Sequence, residues 1–551
     1  MNKVQKRNFL ILCLLSIIVL ILFIAPNKHG AENPEMLSVF QPDEYAQYPY
    51  LMHMLNNTGQ NFIQSIHTFL VYGHYYYGYP FYFFSGLALL PVKLILGANW
   101  QSSTPLLVMI LRETINVLPM LIAILLLVWM FTKYRSLWQS VLLFVFLETL
   151  PQVVANNVWW HPDSLLVLFS VLTLFFLQRD RYRLGINFFI SAVTCGLAIT
   201  SKVLGVLFVG TYIIYLAIAV LSRKVSPGKA LVKAGIFLLL MAAAIVVSMP
   251  QLIMPQERAE IIAVFKGNLS ENQSGFWVQG GGLTQNWQTL TGYIPMYYAQ
   301  YWIFLPALAL GIAGLFSEQK RLISILVLSW SAVYCGYFLF FAATLRPHYF
   351  LPVFLPLLAC LSLFWPESNE KIRSAIKDRK LPSFRTQNWI NLAAILLMLA
   401  SVAMEAPKLG SLFNGKQSAE ANSPSIQFYN QVYDTWLDKM PTDKNFTLYR
   451  DWRAYVAPQS NWNVVMSWDL MDYDRLAELK PVVIFLEEEN INYFSDASKQ
   501  AIALDTQGMK RKYLFYSDAK ADQIKGYVLL EENEFGKAFA REDFFKEYLQ
   551  K

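Results

Sequence analysis

Apolar runs of about 17–25 residues recur along this chain up to roughly Met404 and then stop. A run of that length has one common fate. It crosses a bilayer as a helix, because in lipid every backbone N–H and C=O must be satisfied within the segment. The first run, Phe9 to Ala25, follows Lys3, Lys6 and Arg7 and meets no small-x-small cleavage pattern before Pro26, so it reads as an uncleaved first span. Later runs lie near 114–131, 137–156, 163–178, 185–201, 205–222, 232–250, 298–316, 322–343, 348–365 and 388–405. The expected fold class is an α-helical polytopic membrane protein of about eleven transmembrane helices with a C-terminal soluble α/β domain.

Basic residues orient these spans. Lys133 and Arg135, then Arg179, Arg181 and Arg183, then Arg223, Lys224 and Lys229, then Lys320 and Arg321, then the loop from Lys371 to Arg385 occupy every second connection. All fall on the side of the N-terminus, which the positive-inside pattern makes cytoplasmic and which leaves the tail outside. Tyr79 to Gly97 is also apolar enough to cross, but crossing would turn every later basic loop outward. It is expected instead to be a re-entrant or interfacial hairpin interrupted by Pro80 and Pro91, within a long outer loop 26–113. The resulting division is a membrane domain over 1–406, with a second long outer loop at 251–297, and an α/β domain over 407–551.

The net charge of +7 is accounted for by these loops, so no nucleic-acid footprint is indicated. Cys13, Cys195, Cys335 and Cys360 fall inside apolar runs, which speaks against a disulfide framework or a cysteine metal site.

With this topology four polar clusters share the outer face: Asp43 and Glu44; Asn156 to Ser164, containing His161 and Asp163; Thr200 to Lys202; and Arg346 to Tyr349, containing His348. Each has a plainer account. Pro-Asp-Glu and Pro162-Asp163 suit the first turn of any helix, Lys202 can snorkel from a membrane edge, and Arg346 and His348 can be ordinary loop charges. Glu148, inside the third span, is either functional or satisfies a backbone group freed by Pro151. The aromatic run Tyr75 to Phe84 fits an interfacial belt or a wall for sugar or lipid. His53, His67 and His74 match no metal spacing. Gln279 to Gly282, with Trp277 and Trp287, reads as a flexible stretch with a substrate lid as the alternative. The plain accounts do not explain why acidic and basic clusters share one face.

The order and sidedness of Pro42-Asp43-Glu44, Asn157 through Asp163, Gly196 to Lys202 and Arg346 to Pro352 resemble the GT-C superfamily of membrane glycosyltransferases. The resemblance is greatest to the branch of protein O-mannosyltransferases and bacterial lipid A aminoarabinose transferases, and it covers roughly Met1 to Met404. It implies a polyprenyl- or dolichyl-phosphate sugar donor used on the non-cytoplasmic face with inversion. Asp43 would then be the general base, and Glu44 would orient it or the acceptor. His161-Pro162-Asp163 is also similar to the HPD-like loops of other GT-C branches, and no acceptor-recognition motif matches.

The chemistry stands without the resemblance. Displacing a lipid phosphate from a sugar needs a base within reach of the acceptor hydroxyl and cationic donors where negative charge grows on the departing phosphate. Lys202, Arg346 and His348 are the candidates for the phosphate. His161, Asp163 and Tyr349 are the candidates for substrate binding or a second acid. No cofactor is required; a divalent cation bridging Asp43 and Asp163 is an open alternative. The acceptor is a glycan, a lipid or a protein hydroxyl. The expected location is a bacterial inner membrane with the site facing the periplasm, the endoplasmic reticulum being the alternative.

In the tail, Phe446 to Trp452, Asn463 to Trp468, Val482 to Leu486, Lys512 to Tyr516 and Gly526 to Leu530 read as strands. Ser425 to Met440, Asp472 to Leu479 and Phe535 to Leu549 read as helices, giving a largely parallel sheet suited to acceptor recognition or to covering the site. A transporter or flippase of lipid-linked saccharides is the competing reading, but it predicts mid-membrane charges and internal repeats. A non-catalytic scaffold is the third.

Overall fold

The computed structural model describes residues 1–56, 61–274, 282–342, 344–365, 381–500 and 506–550. Gln279 to Gly281, Trp277 and the basic residues of 371–380 lie outside them, and with these the expected lid and most of the last basic loop.

Helix α1 (Lys3–Asn27) starts from a capping box in which Asn2 accepts from the Gln5 amide and Gln5 accepts from the Asn2 amide. Leu10, Leu14, Ile17, Ile18 and Ile21 are 52–61% exposed along it. An apolar face of that size without a protein partner requires lipid, and comparable faces recur on the later helices. Seven helices among the described residues are long and apolar enough to cross a bilayer, or nine if each bent pair is one span. The chain is an integral membrane protein.

Four short helices follow: α2 (Pro34–Phe40), α3 (Pro42–Leu55), α4 (Phe62–Leu70) and α5 (Tyr79–Leu96). Next come α6 (Thr104–Leu111) and α7 (Leu118–Thr132), continuous through a π-helical turn at Arg112–Val117. Then follow α8 (Leu137–Glu148), α9 (Pro151–Asn157), α10 (Asp163–Asp180), α11 (Ile186–Ser201), α12 (Phe208–Leu221) and α13 (Pro227–Ser248). The membrane part closes with α14 (Pro255–Ser274), α15 (Leu283–Tyr293), α16 (Tyr301–Gly314), α17 (Arg321–Phe340), α18 (Leu351–Leu358) and α19 (Leu381–Ala421). Each of the eleven ranges read as a span holds a helix. The helices over 137–157 are bent by 68°, and those over 283–314, which begin before the range read as a span, by 103°.

Hydrogen bonds define two ends of this bundle. At one end Asn27 bonds the Asn157 carbonyl, Asn116 bonds His161, Thr200 bonds Ser248, and Lys416 bonds the Val158 carbonyl. At the other, Asn8 bonds the Tyr134 carbonyl, Gln178 that of Met130, and Tyr215 the Tyr182 amide. Among the described residues, Lys133, Arg135, Arg179, Arg181 and Lys320 gather at the second end. There burial and the charges of Arg135, Arg181, Lys320 and Arg179 push Lys133 down to about 8.

Helix α5 corrects the expected hairpin. It is one continuous helix, because Pro80 sits in the first turn, where its missing N–H is no loss. Pro91 is carried inside it, and it is among the helices long and apolar enough to cross. Gly78, just before its start, abuts the Thr200 backbone, and Lys93 in its last turn bonds the Leu55 carbonyl. Helix α19 also runs past the expected boundary, with Pro407 inside it.

Beyond α19 lies a five-stranded sheet of order β2-β1-β3-β5-β4, with β1 (Phe446–Arg450), β2 (Trp462–Met466), β3 (Val483–Glu487), β4 (Tyr527–Glu532) and β5 (Gly536–Arg541). The first three strands pair in parallel, while β5 pairs antiparallel with β3 and with β4, so the sheet is mixed. Every residue of the central β3 is buried. Two expectations fail here. Lys512 to Tyr516 lies in the helix Thr506–Lys520, where Met509, Lys512, Tyr516 and Ala519 bury one face at helical spacing. Phe535 to Leu549 opens with β5, because Asn533 turns the chain by accepting from the amides of Phe535 and Gly536 and closes a hairpin.

The sheet is seated on the first outer helices. Arg450, at the end of β1, donates to Glu35 at 2.6 Å and to Ser38 at 2.8 Å and lies over the Tyr45 ring.

Candidate active site

Helix α3 begins at Pro42, and both acids lie in its first turn, so the helix-start account of Pro-Asp-Glu is true of its geometry. The two carboxylates nevertheless part company. Glu44 is fully buried; its oxygens accept from Arg112 at 2.8 and 2.6 Å, and one also accepts from the Trp160 amide at 2.6 Å. Arg112 in turn donates to the carbonyls of Asn27 and His29. One ion pair thus ties α3, the π-helical turn, the end of α1 and the loop before α10. Glu44 does not face the site. The expectation that it orients Asp43 or the acceptor is corrected, because both its oxygens are held by Arg112 and it does not line the cavity. Asp43, one residue earlier, projects the other way.

It projects into a cavity of about 520 Å³ lined by Asp43, Tyr77, His161, Lys202, Arg346, Pro347, His348 and Tyr349. Six of the residues singled out from the sequence therefore meet, from four separate stretches of chain. Asp163 stands directly behind them, fully buried. It joins His161 Nδ1 at 2.5 Å and Lys202 Nζ at 2.6 Å, with His348 Nε2 3.9 Å away.

Local folding explains the convergence. The His161 backbone is held twice by the Asn116 side chain, whose amide donates to its carbonyl and accepts from its N–H. Trp159 stacks on the His161 ring at 3.9 Å. Lys202 leaves the end of α11 in extended backbone, and its ammonium lies 4.5 Å from the Tyr349 ring centroid. Gly78 has no room for a side chain: a Cβ there would sit 1.4 Å from the Thr200 carbonyl oxygen. That close approach sets Tyr77 beside Lys202's strand of chain, and the Tyr77 hydroxyl meets His161 Nε2 at 2.9 Å. Burial pushes the Tyr77 phenol well up, with Asp43 adding to the shift, and pushes His161 down.

Tyr77 is the site residue that sequence reasoning assigned elsewhere, to a belt or a wall. The signal was the single glycine inside an aromatic run. Lys202 is also not a free cation, since Asp163 already holds it. Among the described residues no group of three or more His, Cys, Asp and Glu is placed to share a metal ion. His74 bonds the Tyr82 hydroxyl and is pushed down to about 4 by burial. Glu148 is buried with neither carboxylate oxygen hydrogen-bonded, and it does not line the cavity.

A larger cavity, about 660 Å³, lies in the tail against Tyr473, Lys525, Tyr527 and Arg541. It opens at the end of the sheet opposite Arg450, and its tyrosine hydroxyls are tied to Asp518 and to the Pro481 carbonyl. The smaller cavity is where acid, base and cation converge.

No family model matches the sequence, and no curated protein matches it. Among solved structures the chain is similar to the crystal structure of ArnT from Cupriavidus metallidurans bound to undecaprenyl phosphate. The identity is 12%, 96% of this chain and 97% of that chain are covered, and the TM-score is 0.48. For the apo state of the same protein the figures are 12%, 97% and 98%, and 0.47. Likeness at that level carries no argument about this chain, so the functional reading rests on the cavity.

Proposed function

We propose that this protein is a membrane glycosyltransferase of the GT-C type, moving a sugar from a polyprenyl-phosphate donor to an acceptor hydroxyl. One observation carries the reading: a carboxylate, Asp43, shares a part-buried cavity at one end of the bundle with Lys202, Arg346 and His348. In inverting transfer the acceptor oxygen attacks the anomeric carbon from the side opposite the phosphate, so base and cations must sit apart across one small space. Asp43 takes the acceptor proton; Arg346 and Lys202 receive the charge that grows on the leaving phosphate. The apolar tail of the donor lies along the lipid-facing helices, and the acceptor enters from the side where the sheet sits. In this reading the 407–551 region recognises the acceptor or covers the site. The flippase reading is less favoured, since the charged groups gather at one end of the helices instead of halfway along them.

The test is purified full-length protein in detergent, offered a panel of polyprenyl-phosphate sugars with a mixed pool of cell-envelope glycans and lipids. Release of polyprenyl phosphate coupled to a glycosylated product supports the proposal. Movement of lipid-linked saccharide across a vesicle bilayer, without bond cleavage, replaces it with the transporter reading.

A further inference from the structure

The cavity holds more proton-handling groups than a single base requires. Tyr77 Oη, His161, Asp163 and Lys202 form an unbroken chain of contacts at 2.9, 2.5 and 2.6 Å. One end, the Tyr77 hydroxyl, lines the cavity with Asp43; the other, Lys202, lines it too, where an incoming anion competes with Asp163 for its ammonium. The chain also has a defined polarity. With Asp163 ionised and paired to Lys202, His161 donates through Nδ1 to the carboxylate, and its Nε2 accepts from Tyr77. The Tyr77 oxygen then offers its lone pairs to the cavity.

Building on the glycosyltransferase reading, we propose that Tyr77, His161 and Asp163 form a proton relay that unloads Asp43, and that Lys202 is its gate. In the empty site Lys202 neutralises Asp163, which leaves His161 a poor proton acceptor. A phosphate that draws the ammonium away strips Asp163 of its counter-ion. The buried carboxylate then favours a positive charge on the imidazole beside it. During transfer the acceptor oxygen bonds to the anomeric carbon, the bond from that carbon to the phosphate oxygen breaks with its electron pair going to the phosphate, and Asp43 receives the acceptor proton. Asp43 passes that proton to the Tyr77 oxygen while the Tyr77 proton moves to His161 Nε2, which regenerates the Asp43 carboxylate and makes an imidazolium–Asp163 pair. When polyprenyl phosphate leaves, Lys202 returns to Asp163, and His161 releases its proton to the departing phosphate or to water. The groups facing His161 are Asp163 and Tyr77 in direct contact, with Lys202, Asp43 and His348 as the surrounding charges. Of these, Lys202 is the cation that Asp163 holds and that an anion would draw away.

The experiment tracks the imidazole itself. Full-length protein labelled with ¹⁵N-histidine is titrated by NMR in detergent with and without a short-chain polyprenyl phosphate, His161 being identified by His161→Gln among six histidines. The expected result is a rise of roughly one pH unit or more in the His161 midpoint when the phosphate binds. In Lys202→Met the midpoint is already raised and no longer responds, whereas Lys202→Arg, which keeps the cation, retains a phosphate-dependent rise; the melting temperature of each variant checks that it folds. Tyr77→Phe leaves the donor KM unchanged and lowers kcat roughly a hundredfold. An unmoved His161 midpoint with bound phosphate, or wild-type kcat in Tyr77→Phe, overturns the relay. Its failure is distinguishable from that of the glycosyltransferase reading: a protein that binds the lipid phosphate and shifts His161 but transfers no sugar keeps the gate and loses the enzyme.

Discussion

Arg112 grips both carboxylate oxygens of Glu44, and neither side chain has any exposure to solvent. Breaking one partner of such a pair leaves an uncompensated buried charge, worth about 3–5 kcal/mol. Glu44→Gln and Arg112→Met are each expected to lower the thermal midpoint of the purified protein. Glu44→Gln combined with Arg112→Met is expected to fall less than the sum of the two. A loss equal to that sum would show that the pair is not coupled.

Asp43 borrows its rigidity from that pair without sharing its stability role. Asp43→Asn is therefore expected to leave the melting temperature within about a degree of wild type and to reduce sugar transfer by roughly 10²–10⁴-fold. Transfer at the wild-type rate would remove Asp43 as the base.

Gly78 is the point where the chain bearing Tyr77 presses on the end of α11. Since a Cβ collides with backbone there, Gly78→Ala must push α5 off Thr200, separating Tyr77 from His161. The expected outcome is lower stability together with lower turnover, unlike Asp43→Asn. A Gly78→Ala protein with unchanged melting and rate would contradict the packing.

The tail supplies a pH dependence of its own. Burial raises Asp451 to about 6; Glu487 is raised to about 7 by burial and by Asp451. An acid whose folded value lies above its unfolded one stabilises the fold while protonated and loses that contribution as the pH climbs through the folded value. The sheet region is thus expected to lose protection against amide exchange between about pH 4 and 7. Asp451→Asn should flatten that slope, and a slope of opposite sign would refute the assignment.

How far the sequence foretold this arrangement varies with the physics involved. Apolar run length placed α1, α7 through α13 and α16 through α19, because lipid allows few alternatives to a helix, but not α14 and α15, which lie in a stretch read as an outer loop. Run length and basic loops together brought Asp43, His161, Lys202, Arg346 and His348 to one end. They could not say that Glu44 turns away, since adjacent acids on a helix start look alike until a partner such as Arg112 is found. Tyr77 was hidden because its position depends on a contact between Gly78 and Thr200, far apart in sequence. In the tail, Lys512 to Tyr516 has the aromatic-rich composition of a strand, yet burial on a helical face decided otherwise, while the β4–β5 hairpin hinged on one asparagine turn.

Arg450 meets Glu35 across 415 positions of sequence, and the same guanidinium covers Tyr45, two residues past Asp43. The helix that carries Asp43 is thus braced by a strand that follows every membrane span in the chain. A chain with all its spans already inserted would still lack that brace until β1 had been made. Inserting the helices and steadying the Asp43 side of the cavity are therefore separate events.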